Sequence, residues 1–192
     1  EGSPWATLSP DRREIPMHTH LVRVEREEQY DRATYLTQPN DTGTYAIRGC
    51  SVIHSVTLYR GLDRVDLSAD VVWDDYKHRL RLAFPVCGEA NERYWYGIPF
   101  GTLRSGPYES TYHWAGSNGD WPASLWGGMD TDVCSAAILE RGTPSYQMNR
   151  TPGGECIFVS LLRAPCIPTY LHEPCSYSMT AWDGMRDAGL HH

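Results

Sequence analysis

The stretch that decides the fold is residues 64–73, RVDLSADVVW, followed by residues 74–77, DDYK, and residues 78–86, HRLRLAFPV. In the first part, polar residues alternate with an apolar set that consists of Val65, Leu67, Ala69, Val71 and Trp73. A period of two places such a set on one face of a β-strand. The last part repeats the alternation, so the stretch predicts an antiparallel hairpin with one buried face. Because an isolated hairpin is marginally stable in water, we expect further strands to cover that face.

The length and the charge of the chain narrow its class. A chain of 192 residues can bury a sizeable core and has the size of a single all-β domain. Its 17 Lys and Arg against 24 Asp and Glu give a net charge of −7, which argues against a nucleic-acid or anionic-membrane partner. No run approaches the roughly 20 apolar residues of a membrane span. We therefore predict one domain over residues 1–192, with residues 1–17 as a leading segment that contributes little core.

The rest of the chain also follows a β pattern. Alternating or aromatic runs predict strands at residues 21–26, 45–47, 51–59, 93–101, 133–140, 156–163 and 176–182. Residues 30–43 are polar and rich in turn formers, which predicts a loop or an edge ribbon, and residues 102–128 are predicted as a long loop region. No segment has a convincing helical period. The predicted fold class is therefore mainly β, an antiparallel β-sandwich with long loops.

Cysteine usage leaves the redox state open. The six cysteines, at positions 50, 87, 134, 156, 166 and 175, include no CxxC pair, which disfavours a structural zinc site. Their even number allows three disulfides, and buried free thiols are an equal alternative in a domain of this size. We predict a cytoplasmic location, with secretion as the alternative.

Two short patterns have the residue types of chemical sites. His18 and His20 fall on one side of an extended chain and could form part of a metal site, but no third ligand accompanies them. Asp74 and Asp75 are adjacent carboxylates, but successive residues point apart. We interpret both pairs as solvent-exposed surface positions.

The predicted loop region carries an unusual number of aromatic residues. They could line a sugar groove, and they could equally cover one end of a sandwich, which is the interpretation we favour. The set consists of Tyr108, Tyr112, His113, Trp114, Trp121 and Trp126.

Three segments resemble motifs of glycoside hydrolase family 38, the α-mannosidases. Residues 65–73 and 78–86 resemble its hairpin, LDF-x-T-x-VDW and HK-LLK-x-AFPV. Residues 96–101, YGIPFG, are similar to its YEIPFG strand, and residues 160–165, SLLRAP, match its late SLLRAP motif. The order and spacing agree with the C-terminal part of that family. The resemblance implies a supersandwich of large antiparallel sheets, of the galactose-mutarotase-like kind.

The resemblance also implies an activity for the parent enzyme, which is zinc-dependent, retaining hydrolysis of terminal α-mannosides in mannose metabolism. In the family, the nucleophilic Asp and the zinc ligands lie in an N-terminal catalytic domain that these residues do not contain. We therefore predict no catalytic residue, no metal site and no cofactor in this chain, and a structural, substrate-flanking role. The predicted substrate-flanking residues are Arg163, Tyr96, His113, Trp114 and Trp121.

The predicted partners follow from this interpretation. The first is the N-terminal catalytic domain, packed around residues 94–100 and the loops near Trp114, Trp121 and Trp126, where aromatic residues exceed the needs of one core. A carbohydrate ligand and a second copy of the chain are the other predicted partners. Two alternatives stay open: an independent carbohydrate-binding module, and a non-catalytic subunit that docks with a separate catalytic chain.

Overall fold

The computed structural model describes residues 15–40, 49–74, 79–90, 93–105, 121–142, 145–163 and 189–191. These residues form 13 strands and no helix, so the described part of the chain has no helix that could cross a membrane. The predicted mainly-β class is confirmed. Every strand pairing in the described residues is antiparallel.

The strands form three sheets. Sheet 1 has the order β1-β2-β3-β4-β13, with β1 at Met17–Arg26, β2 at Tyr30–Pro39, β3 at Cys50–Tyr59, β4 at Val65–Trp73 and β13 at Gly189–His191. Sheet 2 has the order β10-β9-β6-β7, with β6 at Tyr94–Ile98, β7 at Gly101–Ser105, β9 at Trp126–Asp130 and β10 at Ser135–Leu139. Sheet 3 has the order β5-β12-β11-β8, with β5 at Arg79–Val86, β8 at Trp121–Pro122, β11 at Ser145–Thr151 and β12 at Gly154–Arg163.

Contacts within the chain divide it into two compact units. Sheet 1 belongs to one unit, and sheets 2 and 3 together form the other, which we call the sandwich unit. The prediction of one domain over residues 1–192 stays a prediction.

The core of the sandwich unit lies between sheets 2 and 3. Alternate residues of the facing strands contribute their side chains to this core, as in other two-layer β-folds. Gly127 brings the layers close together, because a Cβ atom there would lie 2.8 Å from Cε of Met148 and from Cδ1 of Tyr146. The buried cluster consists of Ala90, Tyr96, Ala123, Met129, Tyr146, Met148, Ile157 and Val159.

The predicted hairpin between residues 65–73 and 79–86 is wrong. Both segments are strands, but β4 pairs with β3 and β13, whereas β5 pairs with β12 in another sheet. The two strands even belong to different compact units. Four polar residues between two alternating runs are typical of a hairpin loop, but a connection of that length also suits a chain that leaves one sheet and enters another.

The apolar face of β4 is buried at one end only. Trp73 is 2% exposed and Val71 is equally enclosed, whereas Val65 is 51% exposed and Leu67 is also exposed. The prediction that the whole apolar set faces one buried layer is therefore wrong. Alternation identifies the face on which side chains lie, but it does not determine how far another layer extends over that face.

Residues 30–39 were predicted within a loop or edge ribbon and instead form β2, which pairs with both β1 and β3. Its side chains are mostly half-buried, and Tyr and Thr in this segment favour a strand in spite of the polar composition. The predicted strands at 21–26, 51–59, 133–140 and 156–163 are confirmed in position by β1, β3, β10 and β12. The predicted strands at 45–47 and 176–182 lie outside the described residues.

Candidate functional site

The outer face of sheet 2 carries two tryptophans. Tyr96 points into the core, so its neighbour Trp95 points to the opposite face, where it lies beside Gly128 on the adjacent strand β9. Trp126 lies on the same outer face, and its indole covers Gly97. Both tryptophan residues are half-buried.

Glycine at position 97 is required by this arrangement. A Cβ atom there would lie 2.6 Å from both Cδ1 and Nε1 of Trp126 and 2.5 Å from the carbonyl oxygen of Ser124. Ser124 in turn donates its backbone N–H to the Gly97 carbonyl at 2.7 Å. The close approach of backbone and indole therefore fixes the position of Trp126 on the sheet.

A carboxylate and a guanidinium group lie next to Trp95. The indole Nε1 donates a hydrogen bond of 2.7 Å to Oδ2 of Asp130, and Ser135 Oγ donates one of 2.7 Å to Oδ1. These two hydrogen bonds lower the pKa of Asp130 below its usual range, and the bond from Ser135 has the larger effect. The Arg104 guanidinium carbon lies 5.6 Å from the centre of the Trp95 ring. We call the set of Trp95, Trp126, Arg104, Asp130 and Ser135 the tryptophan face.

The tryptophan face has the chemistry of a sugar-binding surface. An indole ring can stack against the C–H face of a pyranose, and a fixed carboxylate with a nearby guanidinium can accept from and donate to hydroxyl groups. The hydrogen bond to Asp130 also holds the Trp95 ring in one orientation, which lowers the entropy cost of binding.

A second surface feature lies at one end of sheet 2. Ile98 pairs with Gly101, so Pro99 and Phe100 form a two-residue turn between β6 and β7. Phe100 has a φ of +68° and is fully exposed. Positive φ at this turn position favours glycine, and a bulky residue there stores backbone strain.

Further exposed apolar residues lie at the same end of sheet 2, before the start of β9 and at the end of β10. Leu125 has a φ of +69° and is exposed, and its carbonyl accepts a 2.9 Å hydrogen bond from the N–H of Glu140. Leu139, which precedes Glu140, is 79% exposed. We call the set of Ile98, Phe100, Leu125 and Leu139 the apolar end. Large apolar side chains that are grouped and left in water are typical of a contact surface.

Of the five residues predicted to flank a substrate, the structure describes the side chain of Tyr96, and the predicted set stays a prediction. Tyr96 lies in the core with 2% exposure, and burial raises the pKa of its hydroxyl above the usual range. Trp121 is in β8, where its backbone pairs with Tyr146. Arg163 ends β12. His113 and Trp114 lie outside the described residues.

Sequence reasoning missed Trp95, Asp130 and Arg104 as members of a common surface. The alternation in residues 94–98 predicts that Trp95 lies on the opposite face of the strand from Tyr94 and Tyr96, so this part of the surface could be found from the sequence. Asp130 and Arg104 come together with Trp95 only through the order of strands β9, β6 and β7 in the sheet, which the sequence does not reveal.

The described residues of the two short patterns, His18, His20 and Asp74, are exposed, as predicted. The rings of His18 and His20 stack with centroids 6.4 Å apart. In the parts of the chain that the structure describes, no group of three or more His, Cys, Asp or Glu side chains could hold a metal ion. Asp74 is exposed, and Asp75 lies outside the described residues.

Comparison with known proteins assigns no family to the chain. Neither a protein-family model nor a curated protein matches it.

Proposed function

We propose that the chain is the C-terminal β-sandwich part of a zinc-dependent, retaining α-mannosidase similar to glycoside hydrolase family 38. In this proposal it supports and flanks the catalytic domain and does not itself catalyse hydrolysis. The observation that carries the proposal is the pairing of two motif segments that are far apart in the sequence. Residues of the LRLAFPV segment in β5 lie directly beside those of the SLLR segment in β12.

The pairing has a definite register. Ala83 is opposite Phe158, Arg81 is opposite Ser160, and Arg79 is opposite Arg163. The third motif, YGIPFG, contributes Tyr96 to the core that also contains Ile157 of β12. The resembling segments at residues 79–86, 96–101 and 160–163 therefore belong to one sandwich unit, which supports the proposal, whereas residues 65–73 belong to sheet 1 in the other unit.

The apolar end is the surface that we assign to the catalytic domain. Interfaces between domains of one chain bury on the order of 600–1,500 Å², and a small group of exposed apolar residues often forms their centre. Phe100 and Leu125 meet this description, because each combines an exposed apolar side chain with a positive φ. A strained, exposed Phe is costly in an isolated domain and is explained when a neighbour buries the ring.

The chemistry of the parent reaction explains why the chain alone is assigned no catalytic step. Retaining hydrolysis needs a carboxylate nucleophile and a second carboxyl group about 5–5.5 Å away, and in this family a zinc ion orients the sugar hydroxyls. The resemblance places these groups in the N-terminal domain. Among the described residues, no group of three or more His, Cys, Asp or Glu side chains could hold a metal ion.

The isolated chain is therefore expected not to hydrolyse an aryl α-mannoside above background, with or without added zinc. The measurement is release of the aryl alcohol, with a known α-mannosidase as the positive control. Turnover that persists through several purification steps in constant ratio to the chain would contradict the proposal, because the chain would then hold its own catalytic residues.

A second candidate function, carbohydrate binding, is favoured by the tryptophan face. Trp95 is held by Asp130 at 2.7 Å, and Arg104 lies beside its ring, so one aromatic surface and two polar groups of opposite charge converge. A site of this kind binds single sugars weakly because it is shallow and remains hydrated.

We expect no saturable binding of mannose or mannobiose to the isolated chain, because the proposed role of this unit is to support a catalytic domain. The measurement is a titration followed by tryptophan fluorescence and by calorimetry, since calorimetry still reports binding after a tryptophan has been replaced. Saturable binding near millimolar sugar, about −4 kcal/mol, would favour the binding module instead. In that case Trp95→Ala should abolish the heat signal, whereas Leu125→Ala, a change outside the tryptophan face, should leave it unchanged.

A further inference from the structure

We propose that Cys87 and Cys134 are a redox modification site, at which an external disulfide oxidises the two thiols to an intramolecular disulfide bond. Both side chains are exposed, unlike those of Cys50 and Cys156. The Cys134 thiol donates to the carbonyl oxygen of Cys87 with a distance of 3.7 Å. The two residues are therefore neighbours in space although they are far apart in the sequence.

The backbones on either side of the two cysteines are bound to each other. Glu89 donates its N–H to Oδ1 of Asp132 at 2.8 Å, and Asp132 donates its N–H to the carbonyl of Glu89 at 3.1 Å. Gly88 lies so near the opposite turn that a Cβ atom would come within 2.9 Å of Thr131 Oγ1. These contacts hold the segment after β5 directly against the turn between β9 and β10.

Each segment is also anchored within the sandwich unit. The Thr131 hydroxyl accepts the N–H of Cys134 at 2.9 Å, and the Thr131 N–H donates to the Cys134 carbonyl at 2.8 Å. On the other side, Glu89 forms an ion pair of 2.7 Å with Arg150. These hydrogen bonds hold the two segments against each other, so rotation about χ1 of each cysteine is the motion by which we expect the two sulfurs to meet.

The chemistry is thiol–disulfide exchange with a small external disulfide such as oxidised glutathione. The thiolate of one cysteine attacks a glutathione sulfur, which forms a mixed disulfide and releases one reduced glutathione. The second thiolate then attacks the protein sulfur of the mixed disulfide, which forms the Cys87–Cys134 bond and releases a second reduced glutathione. The protein loses two electrons and two protons, and the external disulfide gains them.

The bond would join the two layers of the sandwich unit. Cys87 directly follows β5 of sheet 3, and Cys134 directly precedes β10 of sheet 2. Closing a loop of about 48 residues removes conformational freedom mainly from the unfolded chain. For a chain of this size we expect the melting temperature to rise by roughly 5–10 °C on oxidation and to return on reduction.

The test oxidises the native chain with oxidised glutathione, blocks the remaining thiols and maps tryptic peptides. Cleavage after Arg and Lys leaves Cys87 as the only cysteine of peptide 82–93 and Cys134 as the only cysteine of peptide 105–141. The expected product is these two peptides linked, together lighter by two hydrogen atoms and separable by reductant. Pairing of either cysteine with another residue, or glutathione adducts alone, would overturn the proposal.

Two variants distinguish a specific bond between Cys87 and Cys134 from unspecific oxidation of thiols. Cys134→Ser should lose both the linked peptide and the oxidation-dependent rise in melting temperature. Cys166→Ser also removes one thiol and should retain both. A linked peptide without any rise in melting temperature would overturn the inference that the bond joins the two sheets.

Discussion

Replacing Ile157 with alanine is expected to lower the free energy of unfolding by about 2–5 kcal/mol, the usual cost of a cavity at a buried Ile. Ile157 is 0% exposed and belongs to the cluster in which residues of sheets 2 and 3 meet. Truncation removes three carbons from the centre of that layer, where close-packed neighbours can collapse only partly. Urea denaturation followed by tryptophan fluorescence measures the change.

Leu139→Ala is the matched control for Ile157→Ala, because it also truncates a large aliphatic side chain in a strand of the sandwich unit. Leu139 is 79% exposed, so its change should stay within about 0.5 kcal/mol. Equal effects of the two substitutions would contradict the assignment of the core to the space between sheets 2 and 3.

Replacing Gly97 with alanine is expected to cost about 2–3 kcal/mol, within the usual range for overpacking. The added methyl group would lie 2.5 Å from the Ser124 carbonyl oxygen and 2.6 Å from two indole atoms of Trp126. A backbone oxygen cannot move aside as the end of a flexible side chain can, so the turn that carries Ser124 and Leu125 must shift. The emission of Trp126 should change together with the stability, and both are measured in the same denaturation series.

Gly101→Ala tests whether the effect is specific to position 97. At Gly101 the nearest atom to an added Cβ is Ile98 Cγ1 at 4.0 Å, an ordinary contact. Alanine there should leave stability unchanged or raise it by a few tenths of a kcal/mol, since the unfolded chain loses freedom. A Gly97→Ala variant as stable as Gly101→Ala would show that Trp126 does not cover the backbone at position 97.

The sequence predicted individual strands better than it predicted their partners. Alternation correctly marks residues 65–73 and 79–86 as strands, because the period of two is a local property of the backbone. The pairing of β5 with β12 depends on contacts between distant segments, and no local pattern encodes it. The short polar segment between β4 and β5 predicted that these two strands pair with each other, and this prediction is wrong.

The candidate site was predictable only in part. The many aromatic residues predicted a contact surface around residues 94–100 and near Trp126. Both regions belong to sheet 2 or to its turns. Which ring is buried depends on the sheet face, and the structure assigns Tyr96 to the core and Trp95 to the surface. The neighbouring cysteines at 87 and 134 could not be paired from the sequence, since six cysteines allow 15 connectivities.

The most direct test of the central proposal is an activity assay of the full natural polypeptide that contains these residues. We predict zinc-dependent hydrolysis of an aryl α-mannoside, with retention of configuration at the anomeric carbon, and none by the 192-residue chain alone. Phe100→Ser in the full polypeptide should lower activity or thermal stability by weakening the contact between domains, whereas it should hardly change the melting temperature of the isolated chain. A full polypeptide that hydrolyses no α-mannoside, in folded and zinc-loaded form, would contradict the proposal.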